Sequence, residues 1–135
     1  MRKSLIVVDN FYDNPDEVRE FALSCEYVEN LNYYKGYRST KNYQFDNIKT
    51  VFESLIGEPI VSFPNENSFN GCFQITTAEH PQVYHCDTQK WAGIIYLTPE
   101  APLCSGTRTY KSKITGCTNG EDPNIENSFI GGYYD

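Results

Sequence analysis

Long hydrophobic runs are missing from this chain. No stretch approaches the roughly 20 apolar residues that a membrane-spanning helix needs. The first apolar run, Leu5 to Val8, meets Asp9 and is too short for a signal-peptide core, despite the basic pair Arg2-Lys3 before it. A membrane is therefore not an expected partner. Basic charge is scarce as well: 11 Lys and Arg face 18 Asp and Glu, a net charge of −7. Phosphate backbones are held by clustered Lys and Arg, so nucleic acid is not expected either. There is no CxxC pair among the five cysteines Cys25, Cys72, Cys86, Cys104 and Cys117. Their odd number and the lack of an export signal favour reduced thiols and a cytoplasmic location, with the cysteines serving as small buried hydrophobes.

What is abundant is aromatic. The 135 residues include 11 Tyr and 8 Phe against one Trp and one Met. A disordered chain lacks such a load. The length fits one domain, residues 1–135, able to bury roughly two-thirds of its unfolded surface.

The pattern along the chain is two helices followed by short strands. Leu5 to Val8 reads as a buried strand. Asn14-Pro15-Asp16-Glu17 is a helix start, with Asn14 as cap, Pro15 in the first turn and Glu17 completing a capping box. Val18, Phe21, Ala22 and Cys25 then share one face of a helix ending near Glu26. Residues 27 to 45 are rich in Tyr and Asn and lack a period, with a turn at Lys35 to Ser39. Asp46 can cap a second helix whose apolar face is Ile48, Val51, Phe52, Leu55 and Ile56, closed by Gly57 and Pro59. Five strands are expected after it, at Ile60 to Phe63, Gly71 to Thr77, Gln82 to Asp87, Trp91 to Leu97 and Gly106 to Lys111. This order predicts an α+β fold with an antiparallel sheet.

Chemistry is concentrated in His85-Cys86-Asp87. Side chains at i and i+2 of a strand share a face, so His85 and Asp87 project together and Cys86 turns away. An imidazole and a carboxylate so placed are two members of the 2-His-1-carboxylate triad that binds non-haem Fe(II) with open positions. A surface turn in which Asp87 accepts a hydrogen bond from His85 gives the same triplet. The other histidine, His80, lies five residues earlier, on the opposite face of a continuous strand, and reads as a loop residue.

In its surroundings the triplet resembles the 2-oxoglutarate and Fe(II)-dependent dioxygenases of the prolyl-hydroxylase-like type. The resembling stretches are Val7 to Tyr12 with Asn14 to Arg19, then Tyr84-His85-Cys86-Asp87, Trp91 to Leu97, and Gly106-Thr107. Together they span most of residues 5 to 112. The resemblance implies N-terminal helices packed on a double-stranded β-helix, or jelly roll. It implies metal ligation by His85 and Asp87, with Fe(II) and 2-oxoglutarate as cofactors and a small-molecule co-substrate contact at Gln74. It implies hydroxylation of a substrate whose identity the sequence does not give. The family's distal His ligand and its basic 2-oxoglutarate anchor have no counterpart here, since no His follows His85. A jelly roll also needs about eight strands. The chain is accordingly expected to be the N-terminal part of a longer dioxygenase, with an incomplete β core and little activity by itself. The alternative is a non-catalytic jelly-roll module binding a glycan or protein through its Tyr-rich loop, residues 33 to 43.

Overall fold

The computed structural model describes residues 5–29, 36–65, 68–80, 87 and 89–109. The chain divides into two compact units, Met1–Thr77 and Ala78–Asp135. All helices and strands among the described residues lie in the first unit, in the order α1 (Pro15–Ser24), β1 (Tyr27–Glu29), β2 (Tyr37–Ser39), α2 (Ile48–Ile56) and β3 (Gln74–Ile75). The architecture is mixed α+β, with a three-stranded antiparallel sheet in the order β1-β2-β3.

Helix α1 starts as its sequence dictates, with Pro15 in the first turn and Asp16 and Glu17 beside the positive end of the helix dipole. The capping box does not form. Asn14 donates its side-chain amide to the Glu17 carboxylate at 3.4 Å and makes no side-chain cap. The other end has no glycine, so side chains take up the orphan carbonyls. Ser24 Oγ and Cys25 Sγ both donate to the Phe21 carbonyl, at 2.7 and 3.3 Å. The Cys25 amide and the Tyr27 hydroxyl both donate to the Ala22 carbonyl, at 3.1 and 2.7 Å.

That closure leads directly into β1. Its register with β2 pairs Tyr27 with Ser39, Val28 with Arg38 and Glu29 with Tyr37. On the other side of β2, Tyr37 meets Ile75 and Arg38 meets Gln74. Paired residues share a face. Tyr27, Ser39 and Ile75 lie on the more covered face, whereas Val28, Arg38 and Gln74 form the outer one.

Helix α2 forms where its apolar period predicts. Its cap is Asn47, one residue later than the expected Asp46, in a left-handed conformation (φ 65°) and without a side-chain cap bond. Gly57 ends the helix at φ 80°, its amide donating to the Glu53 carbonyl at 2.8 Å. Phe52 stacks on Phe11 at 5.8 Å and meets Phe63 at 6.1 Å, while Phe45 touches both Phe11 and Tyr12. Phe21 of α1, Tyr43 and Phe73 form a second ring cluster, with centroids 5.0 to 6.0 Å apart. Among the described residues Ala22 is the one buried hydrophobic side chain, so these half-covered rings supply most of the packing.

Several expected strands are corrected. Leu5 to Val8 adopts no strand; Leu5 and Val7 are 70 and 78% exposed, and no described neighbour offers a ladder. Ile60 to Phe63 forms none because the Ile60 amide donates to the Glu53 carboxylate at 2.9 Å, outside any ladder. Gly71 to Thr77 shrinks to Gln74–Ile75, its first residues consumed by a turn in which the Cys72 amide bonds to the Phe69 carbonyl at 3.1 Å. Residues 82–86 and 110–111 of the other expected strands lie outside the described residues. Gly106 to Thr109 is irregular, with Gly106 at φ 99°.

In the second unit, Trp91 to Leu97 joins no ladder among the described residues, yet its end alternates as a strand would. Ile95 and Leu97 are partly covered, and Ile94 and Tyr96 are 61 and 62% exposed. The Tyr96 hydroxyl donates to Thr107 Oγ1 at 2.6 Å.

Candidate functional site

Gln74 sits on the outer face of the sheet in the first unit, placed there by the short β3. Its side-chain oxygen accepts a hydrogen bond from Arg38 Nε at 3.2 Å, and its amide donates to Thr76 Oγ1 at 3.3 Å. Arg38 in turn lies over the Phe69 ring, its Cζ 4.2 Å from the centroid, a cation–π contact. The arrangement presents a positively charged planar group beside an amide, chemistry suited to a carboxylate. Arg38 falls within the Tyr-rich segment 33 to 43 but is not marked by the sequence as a partner of Gln74. Its segment reads as a turn, and only the register with Gln74 brings it into view.

Asp87 belongs to the second unit and is exposed to solvent. His85, Cys86 and Tyr84 lie outside the described residues, so the expected convergence of His85 with Asp87 does too. His80 is described and partly covered, and Arg108 is exposed. Among the described residues, no group of three or more His, Cys, Asp or Glu side chains could hold a metal ion. Nor is any described helix long and apolar enough to cross a membrane.

The shifted acid–base groups are phenols of the first unit. Burial pushes Tyr12 up, and burial followed by the charge of Cys25 pushes Tyr27 up. Hydrogen bonding with Cys25, then burial, pushes Tyr43 up. Raised phenols stay protonated at neutral pH, and the Tyr27 hydroxyl donates to the Ala22 carbonyl.

A cleft of about 340 Å³ opens at the start of α2, between Phe45, Ile48 and Phe63, with Lys49 and Asn65 at its edge. Neither Gln74 nor Asp87 lines it. Compared with protein-family models, curated proteins and solved structures, the chain finds no match in any of the three.

Proposed function

We propose that the protein is an Fe(II)- and 2-oxoglutarate-dependent oxygenase, with the antiparallel sheet forming part of a jelly roll. The observation that carries this reading is the triplet His85-Cys86-Asp87 within its surrounding segments. In a strand, the i, i+2 spacing would put one imidazole and one carboxylate on a common face, the donor pair that suits ferrous iron. The solvent exposure of Asp87 supports it, because a ligating carboxylate has to be reachable by the ion. His85 and Asp87 hold the metal in this reading. Iron bound there supplies oxygen activation coupled to decarboxylation of 2-oxoglutarate, and the protein's share is to hold and orient the reactants.

Two protein ligands hold a divalent ion weakly, because a facial triad uses three. The test is equilibrium binding of Mn(II) or Co(II) to the 135-residue chain, with and without added imidazole as a free third nitrogen donor. Weak binding is expected, strengthened by imidazole and lost in both His85→Ala and Asp87→Ala. Succinate release is expected to be negligible without that third donor. Binding that neither substitution changes would remove the metal reading.

A further inference from the structure

We propose that Asn70-Gly71 is a latent deamidation site that the fold keeps closed. In an Asn-Gly pair the glycine nitrogen meets little steric resistance on its way to the asparagine side chain, because glycine has no Cβ. The Gly71 nitrogen loses its proton and bonds to Asn70 Cγ, the Cγ–Nδ2 bond breaks, and ammonia leaves. Water then opens the succinimide at either carbonyl, giving aspartate or isoaspartate. No oxidant or reductant is involved.

The native backbone points the nucleophile the wrong way. The Cys72 amide donates to the Phe69 carbonyl at 3.1 Å, which makes Phe69 to Cys72 a hydrogen-bonded β-turn. Gly71 has φ 84°, and Asn70 is not among the residues with positive φ. Only a type II turn combines these signs, and it sets ψ of its second residue near about +120°. Succinimide closure needs ψ of the opposite sign, so that the glycine nitrogen swings round beside the asparagine Cβ. The peptide plane between Asn70 and Gly71 has to flip first.

That plane is held at its carbonyl: the Asn70 carbonyl accepts Asn42 Nδ2 at 2.8 Å and Gln44 Nε2 at 3.1 Å. The next peptide is tied too, the Gly71 carbonyl accepting the Tyr43 amide at 2.8 Å. The leaving amide is held as well, Asn70 Nδ2 donating to the Pro64 carbonyl at 3.1 Å. A Cβ at position 71 would lie 2.7 Å from Gln44 Cγ and 2.8 Å from the Tyr43 carbonyl oxygen, so the 42–44 segment also fills the space beside the turn. Once formed, isoaspartate would lengthen the main chain by a methylene and separate the Tyr43 and Gly71 groups.

The experiment is peptide mapping by mass spectrometry after incubation of the full chain in warm, mildly alkaline buffer, with and without urea. The native chain should convert at residue 70 more slowly than the urea-unfolded chain, on the order of tenfold or more, because reaction waits for local opening. Asn42→Ala should speed native conversion by about fivefold, the weight of one ordinary hydrogen bond. Gln44→Ala should act alike, and circular dichroism identifies which variants remain folded. Asn70→Gln should abolish the mass gain in the peptide that spans residue 70, while the second Asn-Gly pair, Asn119-Gly120, is read in its own peptide. Equal rates at residue 70 in buffer and urea, folded clamp variants with unchanged rates, or a gain in the residue-70 peptide that survives Asn70→Gln would each overturn the proposal.

Discussion

Ser39 and Phe73 hold each other through two hydrogen bonds: the Ser39 amide donates to the Phe73 carbonyl, and the Phe73 amide donates to Ser39 Oγ, both at 3.0 Å. The hydroxyl also donates to the Lys41 carbonyl at 2.7 Å, and Ser39 is only 5% exposed. The serine side chain thus adds to the end of β2 one cross-strand bond, from the Phe73 amide, that the backbone alone would not make. Ser39→Ala leaves the Phe73 amide without its acceptor and should cost about 1–3 kcal/mol. Urea denaturation followed by far-UV circular dichroism measures it. A loss below a few tenths would show that water replaces the hydroxyl.

Gly36 enters β2 at φ 80° and is buried. A Cβ there would overlap the Ile75 carbonyl oxygen, a backbone atom unable to step aside. The left-handed backbone alone should cost Gly36→Ala about 1–2 kcal/mol, with the overlap added to it. Amide exchange at β2 and β3 should rise in this variant while α2 stays protected. Unchanged exchange at β3 would contradict the close approach.

Phe21 touches Tyr43 and Phe73 edge-on although half of its surface is exposed. Phe21→Ala should lose about 1–3 kcal/mol, two edge-to-face contacts of roughly 0.5–1.5 kcal/mol each. Phe21→Leu keeps apolar area without the ring quadrupole and should recover only part of the loss. Equal stability of the Leu variant and the parent would assign the effect to area alone.

Burial holds the Tyr12 phenol above its ordinary 10.0. Below that value the phenol is protonated in both folded and unfolded chains, and its contribution is fully present. Above it the unfolded chain releases protons that the folded chain still binds, so stability falls as pH rises through the folded value. The denaturation midpoint should decline above pH 10.0, and Tyr12→Phe should make the decline shallower. A decline of the same steepness in that variant would remove Tyr12 as a cause.

Both helices were legible because their signals are local. Pro15 in the first turn, the i, i+3, i+4 spacing of Ile48 to Ile56, and Gly57 at the end each act within one or two turns of chain. The β1–β2 hairpin was not legible. Its covered face carries Tyr27 and a buried Ser39, so no apolar alternation marks it, and the sequence between the two strands has no Asn-Gly or Asp-Gly pair. Trp91 to Leu97 is the converse: the alternation is present, but no described neighbour pairs with it, and pairing depends on a neighbour that the segment's own sequence does not encode. The candidate site was legible only as spacing. Gln74 is located, Asp87 is located in a separate unit, and His85 falls outside the described residues.

The division of the chain also sorts its chromophores. The one tryptophan, Trp91, belongs to the unit Ala78–Asp135, while the helices among the described residues, α1 and α2, sit in the unit Met1–Thr77. Indole emission therefore reports on one half of the molecule, and helical far-ultraviolet dichroism on the other. In a single cooperative transition the two signals would trace the same melting curve. Separate midpoints would mean that each half loses its order on its own, and the wavelength of observation would then decide which stability is being measured.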